Sequence, residues 1–79
     1  MKIIVKYFAL LREERGLSEE ILELESTTAE SLYLSLQKKY HFKLSAEIVK
    51  VAINNQFSSW DTVLNDKDSV VFIPPVAGG

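Results

Sequence analysis

The stretch that decides the fold runs from Ser26 to Tyr40 and reads S-T-T-A-E-S-L-Y-L-S-L-Q-K-K-Y. On a helix of 3.6 residues per turn its apolar residues form one stripe, composed of Ala29, Leu32, Tyr33, Leu36 and Tyr40. Thr27 as N-cap, with Glu30 three residues later, predicts a capping box at the start of this helix. A single amphipathic helix must bury its stripe against another element, and a sheet provides the matching face.

The segments on either side of this helix are rich in β-branched and aromatic residues and predict strands. The predicted strands are Lys2–Ala9, Glu20–Glu25, Lys50–Asn54 and Ser69–Ile73, with a short extra strand after the Asn54-Asn55 turn left open. Leu10–Gly16 is predicted as a polar connection, and Asp61–Leu64 as a short helical turn or a bridge. The order predicts an α+β fold, a mixed sheet of four to five strands packed on one main helix. Pairing the first and last strands at the sheet centre would give a β-grasp (ubiquitin-like) fold, which the pattern alone does not select.

Strand alternation predicts which residues of the first and last strands face solvent. Ile3, Val5 and Tyr7 share one face of the first strand, whereas Lys2, Ile4, Lys6 and Phe8 share the other. The lysines mark the second face as the exposed one, so Phe8 is expected beside them. Val71 and Ile73 point outward from the last strand by the same rule, and Phe57 is expected near them. An exposed apolar cluster of this kind is typical of a partner interface.

Composition excludes several functions for this chain of 79 residues. It contains no cysteine, so it carries no thiol nucleophile, and one histidine cannot build a metal site alone. Two acids, Asp66 and Asp68, fall far short of a calcium loop. A net charge of −2 without a basic cluster offers no footprint for nucleic acid. With no long apolar run and no signal-peptide pattern, we expect a cytoplasmic domain without a membrane segment.

The last six residues, P74-P-V-A-G-G79, pose a separate question. Chain termini usually fray and carry no information. A Gly-Gly ending is unusual at average glycine usage, but it is weak evidence alone. The tail is therefore either an inert end or a functional one.

Three blocks together resemble the family of small, sulfur-carrying subunits of molybdopterin synthase. They are F-A-L-L-R-E from Phe8 to Glu13, A-I-N from Ala52 to Asn54, and the segment from Asp66 to Gly79. The resemblance spans essentially the whole chain, and its C-terminal block is the most specific part. Lys67 departs from the pattern, because the family often has glycine between the two acidic residues.

The resemblance implies a β-grasp domain over residues 1–75 and a flexible tail over 76–79. It implies that the Gly79 carboxylate is adenylated by an enzyme resembling ubiquitin-activating enzymes, which uses ATP, and is then converted to a thiocarboxylate with sulfur from a donor protein. Residues Pro74, Pro75, Val76, Ala77 and Gly78 would thread the tail into the large synthase subunit. There the sulfur would pass to a cyclic pyranopterin precursor to build the dithiolene of molybdopterin. The catalytic site would lie on the large subunit.

The family also implies an interface formed by Phe8, Arg12, Phe57 and Ile73, and a heterotetramer of two carriers on a dimer of large subunits. This chain would hold no permanent cofactor and no metal. Three other functions stay open: a ubiquitin-like modifier joined to lysines of target proteins, a sulfur carrier for thiamine thiazole synthesis, and a plain β-grasp interaction module.

Overall fold

Two helices and a five-stranded sheet are found in the computed structural model, which describes residues 1–75. The elements are β1 (Lys2–Tyr7), α1 (Ala9–Arg15), β2 (Glu19–Glu23), α2 (Ala29–Tyr40), β3 (Lys50–Ile53), β4 (Gln56–Ser58) and β5 (Ser69–Ile73). The strand order is β2-β1-β5-β3-β4. The central pair, β1 and β5, is parallel, and the other neighbouring pairs are antiparallel. The β-grasp topology is therefore confirmed.

One face of the sheet and the predicted stripe of α2 form the core. Val5 lies opposite Val70 and Tyr7 opposite Phe72 in the β1–β5 register, and all four side chains are buried. Tyr33 of α2 packs edge-on against Phe72, with ring centres 5.1 Å apart. The predicted stripe is confirmed, since Ala29, Leu32, Tyr33 and Leu36 are buried and Tyr40 is partly buried against them. The predicted inward residues of β1, Ile3, Val5 and Tyr7, are buried as well.

The start of α2 lies one residue later than the sequence predicts. Thr28 is the N-cap, and its Oγ1 accepts a hydrogen bond from the backbone N–H of Ser31 (3.2 Å). The predicted cap at Thr27 is wrong, because Thr28 forms a β-bridge with Val63 that holds it in extended geometry. The third helical position is then Ser31 rather than Glu30. The same bridge includes Val63, so of the two alternatives left open for Asp61–Leu64, a short helical turn or a bridge, the structure has the bridge.

The predicted polar connection at Leu10–Gly16 is wrong, because this segment belongs to helix α1. Leu11 anchors the helix in the core and is fully buried. Gly16 ends it in the left-handed region (φ 83°), and its N–H donates to the Arg12 carbonyl (2.9 Å). Glycine adopts that conformation without a steric penalty. Strand β2 then runs over Glu19–Glu23 instead of Glu20–Glu25, antiparallel to β1.

A hydrogen-bonded turn aligns β3 and β4 with the start of β5. Asn54 and Asn55 both have positive φ (52° and 68°), as expected for a two-residue hairpin loop. The Asn54 side chain donates to the buried carboxylate of Asp68 (2.9 Å) and accepts from the Ser69 N–H (3.0 Å). These bonds tie the β3–β4 turn to the start of β5, and β4 lies at the edge of the sheet because it pairs with β3 alone. The short strand left open by the sequence is therefore present and carries Phe57.

Candidate functional site

The face of the sheet opposite α2 carries a cluster of exposed apolar side chains. Phe8 is 49% exposed and Phe57 is 75% exposed. We call the cluster formed by Phe8, Ala52, Phe57, Val71 and Ile73 the apolar patch. Val71 and Ile73 are half-buried and Ala52 is buried, so the exposed area comes mainly from the two phenylalanines. These residues line one hollow together with Lys6 and Asn55. Since the structure leaves the large side chains of Phe8 and Phe57 in solvent, they are available to a partner rather than committed to the core.

Strand register assembles the apolar patch from four separate segments of the chain. Ala52 of β3 lies opposite Phe57 on one side and opposite Val71 on the other. Ile73 lies two residues beyond Val71 on the same face of β5, and Phe8 follows the end of β1. Three of the four predicted interface residues, Phe8, Phe57 and Ile73, are thus brought together.

Phe8 is held by an unusual junction between β1 and α1. It is the only residue between the two elements, and its backbone stays extended (φ −129°, ψ 155°). Ala9 follows with φ 50°, which is costly for a residue with a Cβ. The Phe8 carbonyl accepts from the N–H groups of Leu11 (3.1 Å) and Arg12 (3.4 Å). Arg12, the fourth predicted interface residue, is exposed on α1 but does not line the hollow.

A polar clamp secures the other end of α1. Glu20 of β2 accepts hydrogen bonds from Arg15 Nε (2.7 Å), Arg15 Nη2 (2.8 Å) and the Tyr7 hydroxyl (2.7 Å). The Arg15 guanidinium also lies over the Tyr40 ring, with Cζ 4.1 Å from the ring centre. The hydrogen bonds from Arg15 hold the pKa of Glu20 below its usual value, and burial raises the pKa of Tyr7. Glu20 is therefore not a free surface charge, because the turn after α1 brings Arg15 to it.

The described chain ends just beyond the apolar patch. Pro74 is buried and Pro75 is exposed, and β5 stops before them, as expected of residues that cannot donate to a sheet. The predicted tail residues Val76, Ala77 and Gly78, and the predicted reactive residue Gly79, lie outside the described residues. Their roles, like those of the two prolines, stay predictions.

Neither a metal centre nor a membrane span is found in the part of the chain that the structure describes. Within residues 1–75, no three His, Cys, Asp or Glu side chains are placed to hold one ion. Asp66 accepts from the Lys2 N–H (2.7 Å), and Asp68 from Asn54 and the Asn65 N–H (2.8 Å), so both carboxylates brace turns. Neither helix in this range has the length and apolar character needed to cross a bilayer.

Fold and site together define a β-grasp protein whose exposed apolar patch adjoins the strand that leads toward a C-terminal Gly-Gly. The ThiS family model matches residues 5–79. The chain therefore belongs to the ThiS family.

Individual relatives agree with this assignment. The sulfur carrier subunit of molybdopterin synthase from Mycobacterium tuberculosis is 37% identical over 82 residues, covering 100% of this chain and 99% of that protein. The Pyrococcus furiosus protein assigned as molybdopterin converting factor, subunit 1, is 35% identical with a TM-score of 0.80, covering 96% of this chain and 99% of that one. Resemblance to the small subunits of molybdopterin synthase is thus confirmed.

Two further solved structures are similar to this chain, one of them a complex of two subunits and the other a protein modifier. In a complex of subunits 1 and 2 of the molybdopterin-converting factor from Helicobacter pylori, the matching chain is 25% identical with a TM-score of 0.69, and the match covers 100% of both chains. The small archaeal modifier protein 1 from Methanosarcina acetivorans is 30% identical with a TM-score of 0.74, and the match covers 99% of this chain and 96% of that one.

Sequence reasoning left some residues out of the predicted interface. Ala52 and Lys6 line the hollow, as does Val71, which alternation placed outward without assigning it a role. Strand alternation already pointed Lys6 to the exposed face, but Ala52 could be placed only through the β3–β5 register. A small residue between Phe57 and Val71 deepens the hollow, because its methyl group fills less space than its neighbours.

Proposed function

We propose that this chain is the sulfur carrier subunit of a molybdopterin synthase, with Gly79 as the residue that carries the sulfur. The observation that carries the proposal is the full-length match to the sulfur carrier subunit from Mycobacterium tuberculosis. The chain contains no cysteine, so a carried sulfur must reside on a group other than a thiol. The terminal carboxylate is such a group.

The proposed cycle needs three chemical steps, all performed by partners on the Gly79 carboxylate. First, a carboxylate oxygen attacks the α-phosphate of ATP on an adenylating enzyme, which forms the acyl-adenylate and releases pyrophosphate. Next, hydrosulfide released by a donor protein attacks the acyl carbon, which forms the carbon–sulfur bond, displaces AMP and leaves a thiocarboxylate. Finally, the large subunit transfers that sulfur to a cyclic pterin precursor, and water supplies the oxygen that regenerates the carboxylate.

The residue types at the terminus suit this chemistry. Glycine has no side chain to obstruct attack on its carbonyl carbon. Four extended residues, Val76 to Gly79, reach roughly 13 Å, enough to enter a partner's active site while the domain stays outside. Pro74 and Pro75 restrict the base of this tail, so less conformational freedom is lost on docking.

The apolar patch is the surface through which the large subunit would be bound. Its exposed aromatic residues, Phe8 and Phe57, are the kind of side chain that dominates binding energy at interfaces. The Helicobacter pylori complex of subunits 1 and 2 supports such a two-part assembly. Phe8→Asp should weaken binding of the large subunit at least about tenfold while the melting temperature changes little. A large drop in melting temperature would instead give Phe8 a core role.

Intact-mass spectrometry tests the proposal directly. The purified chain is incubated with its cognate adenylating enzyme, ATP and a sulfur donor, and then presented with the large subunit and the pterin precursor. We expect a mass gain equal to the replacement of one oxygen by sulfur, and its loss when the precursor is converted. Deletion of Gly79, or extension by one alanine, should abolish the mass gain and the conversion of the precursor, while the circular dichroism spectrum stays that of the wild type. Conversion by either variant would overturn the proposal.

A protein-modifier role is the second candidate, since the small archaeal modifier protein 1 from Methanosarcina acetivorans is 30% identical to this chain. The same activation would then end in an amide bond between Gly79 and a lysine of a target protein, with AMP as the leaving group. The two roles differ in their products. A modifier gives a conjugate that carries the mass of a whole second protein, whereas a carrier gives only the exchange of oxygen for sulfur.

A further inference from the structure

Two lysines border the apolar patch, Lys6 on β1 and Lys50 on β3. Lys6 of β1 faces Val71 of β5, and Lys50 of β3 faces Ile73 of the same strand. Because β5 lies between β1 and β3, the two lysines are separated laterally by about 10 Å, two strand spacings. Lys6 lines the hollow of the apolar patch, and Lys50 lines a second hollow that Phe57 also lines.

Their charges are not used inside the described chain. Within residues 1–75, the ion pair closer than 4 Å is that of Arg15 with Glu20, and neither Lys6 nor Lys50 belongs to one. Glu19 lies directly opposite Lys6 in the β1–β2 register without reaching that distance. Lys50 is exposed, and its strand neighbour Ile73 offers no charge.

The charge of the whole chain makes this placement informative. Acidic residues outnumber lysine and arginine by 11 to 9, so a surface taken at random is more acidic than basic. Instead, the apolar patch is flanked by two cations, with Arg12 exposed on the adjoining helix. At interfaces, charges on the rim govern orientation and the rate of association more than they govern affinity.

We propose that Lys6 and Lys50 select a partner whose complementary apolar surface is flanked by carboxylates, and that they steer this partner onto the apolar patch. The inference rests on the proposed function, since it takes the large synthase subunit as the occupant. Lys50 contributes more to this steering than Lys6 does, because Glu19 offsets some of the charge of Lys6. The selected partner surface is therefore acidic at its edge and apolar at its centre.

Association kinetics with the purified cognate large subunit test this inference. Lys50→Glu should lower the association rate constant about tenfold at low ionic strength, and added salt should narrow the difference from wild type. Lys50→Met keeps most of the aliphatic stem without the charge, so its association rate constant should lie between those of wild type and Lys50→Glu. Lys38→Glu is the matched control, because Lys38 is exposed on α2, on the other face of the sheet. Its association rate should match that of the wild type.

The outcomes separate the two proposals. If wild type binds the large subunit and Lys50→Glu associates no more slowly than Lys38→Glu, the lysines do not steer and this inference is wrong. If Lys50→Met slows association as much as Lys50→Glu does, the stem acts through packing and the charge argument is wrong. If wild type does not bind the large subunit at all, the proposed function fails together with the inference. Unchanged Trp60 fluorescence in each variant verifies that the fold is retained.

Discussion

Replacement of Glu20 by glutamine should expose how much the polar clamp contributes to holding α1 against the sheet. Glu20 accepts three short hydrogen bonds, two of them from the Arg15 guanidinium. The side chains of Arg15 and Glu20 are only 18% and 13% exposed, so solvent screens the pair weakly. Hydrogen bonds to charged groups contribute about 1.5–3 kcal/mol, and glutamine keeps the shape but loses the charge. We expect Glu20→Gln to lose about 2 kcal/mol of unfolding free energy at neutral pH, or roughly 10 °C in melting temperature.

The effect should depend on pH with a definite sign. The folded-state pKa of Glu20 lies below its ordinary value of 4.5, so the carboxylate stabilises the fold above pH 4.5. That stabilisation is lost as the pH falls through the folded-state pKa. The difference between wild type and Glu20→Gln should therefore be largest at neutral pH and shrink as the pH falls below 4.5.

Urea denaturation followed by Trp60 fluorescence measures this difference, because Trp60 stacks on Phe72 in the core. Glu19→Gln is the control, since Glu19 is exposed on the same strand. The reasoning would be refuted if both variants lost the same free energy at neutral pH. It would also be refuted if the deficit of Glu20→Gln stayed constant as the pH fell, since that would assign the loss to packing rather than to charge.

Three further predictions concern conformation, packing and alkaline pH. Lys67 has φ 71°, so Lys67→Gly should stabilise the fold by about 0.5 kcal/mol. Gly16→Ala should destabilise it by about 1 kcal/mol because of the positive φ of Gly16, although the added Cβ would meet nothing within 4 Å. Thermal melts that gave the opposite signs would refute this prediction. In urea titrations, Phe57→Ala should lower the unfolding free energy by less than about 1 kcal/mol, whereas Phe72→Ala, on the buried face, should lower it by about 3–5 kcal/mol. Equal losses would contradict the assignment of the two faces of the sheet. Burial raises the pKa of Tyr33 from 10.0 to about 12, so the unfolded chain loses this proton first and stability should fall as the pH rises between these values. Tyr33→Phe should show a smaller decline over that range in alkaline denaturation, and an equal decline would assign it to other groups.

Local patterns in the sequence predicted most elements of the fold. The helical stripe from Ala29 to Tyr40 and the alternation along β1 repeat at periods that belong to a single element. Helix α1 was missed because it is seven residues long and anchors one side chain, Leu11, in the core. A single buried position cannot reveal a helical periodicity of apolar residues. Its positive-φ residue Ala9 carries no sequence signal either.

The candidate site was predicted less completely, and for a different reason. The resemblance to a known family pointed to Phe8, Phe57 and Ile73, and strand alternation predicted that Phe8 and Ile73 face outward. These side chains lie close together because β5 lies between β1 and β3, and this strand order brings together residues that are far apart in the chain. The pairing of Arg15 with Glu20 depends likewise on how α1 returns the chain to the edge of the sheet.

The amino-acid sequence by itself determined the amphipathic helix, the inward and outward faces of the central strands, and the absence of a thiol. It also supplied the Gly-Gly ending on which the proposed chemistry depends. Only the tertiary structure decided that Phe8, after β1, and outward residues of β3, β4 and β5 converge on one apolar patch that two lysines border. Periodicity is a property of one element, whereas a surface is built by the register between elements, and register is set by long-range pairing.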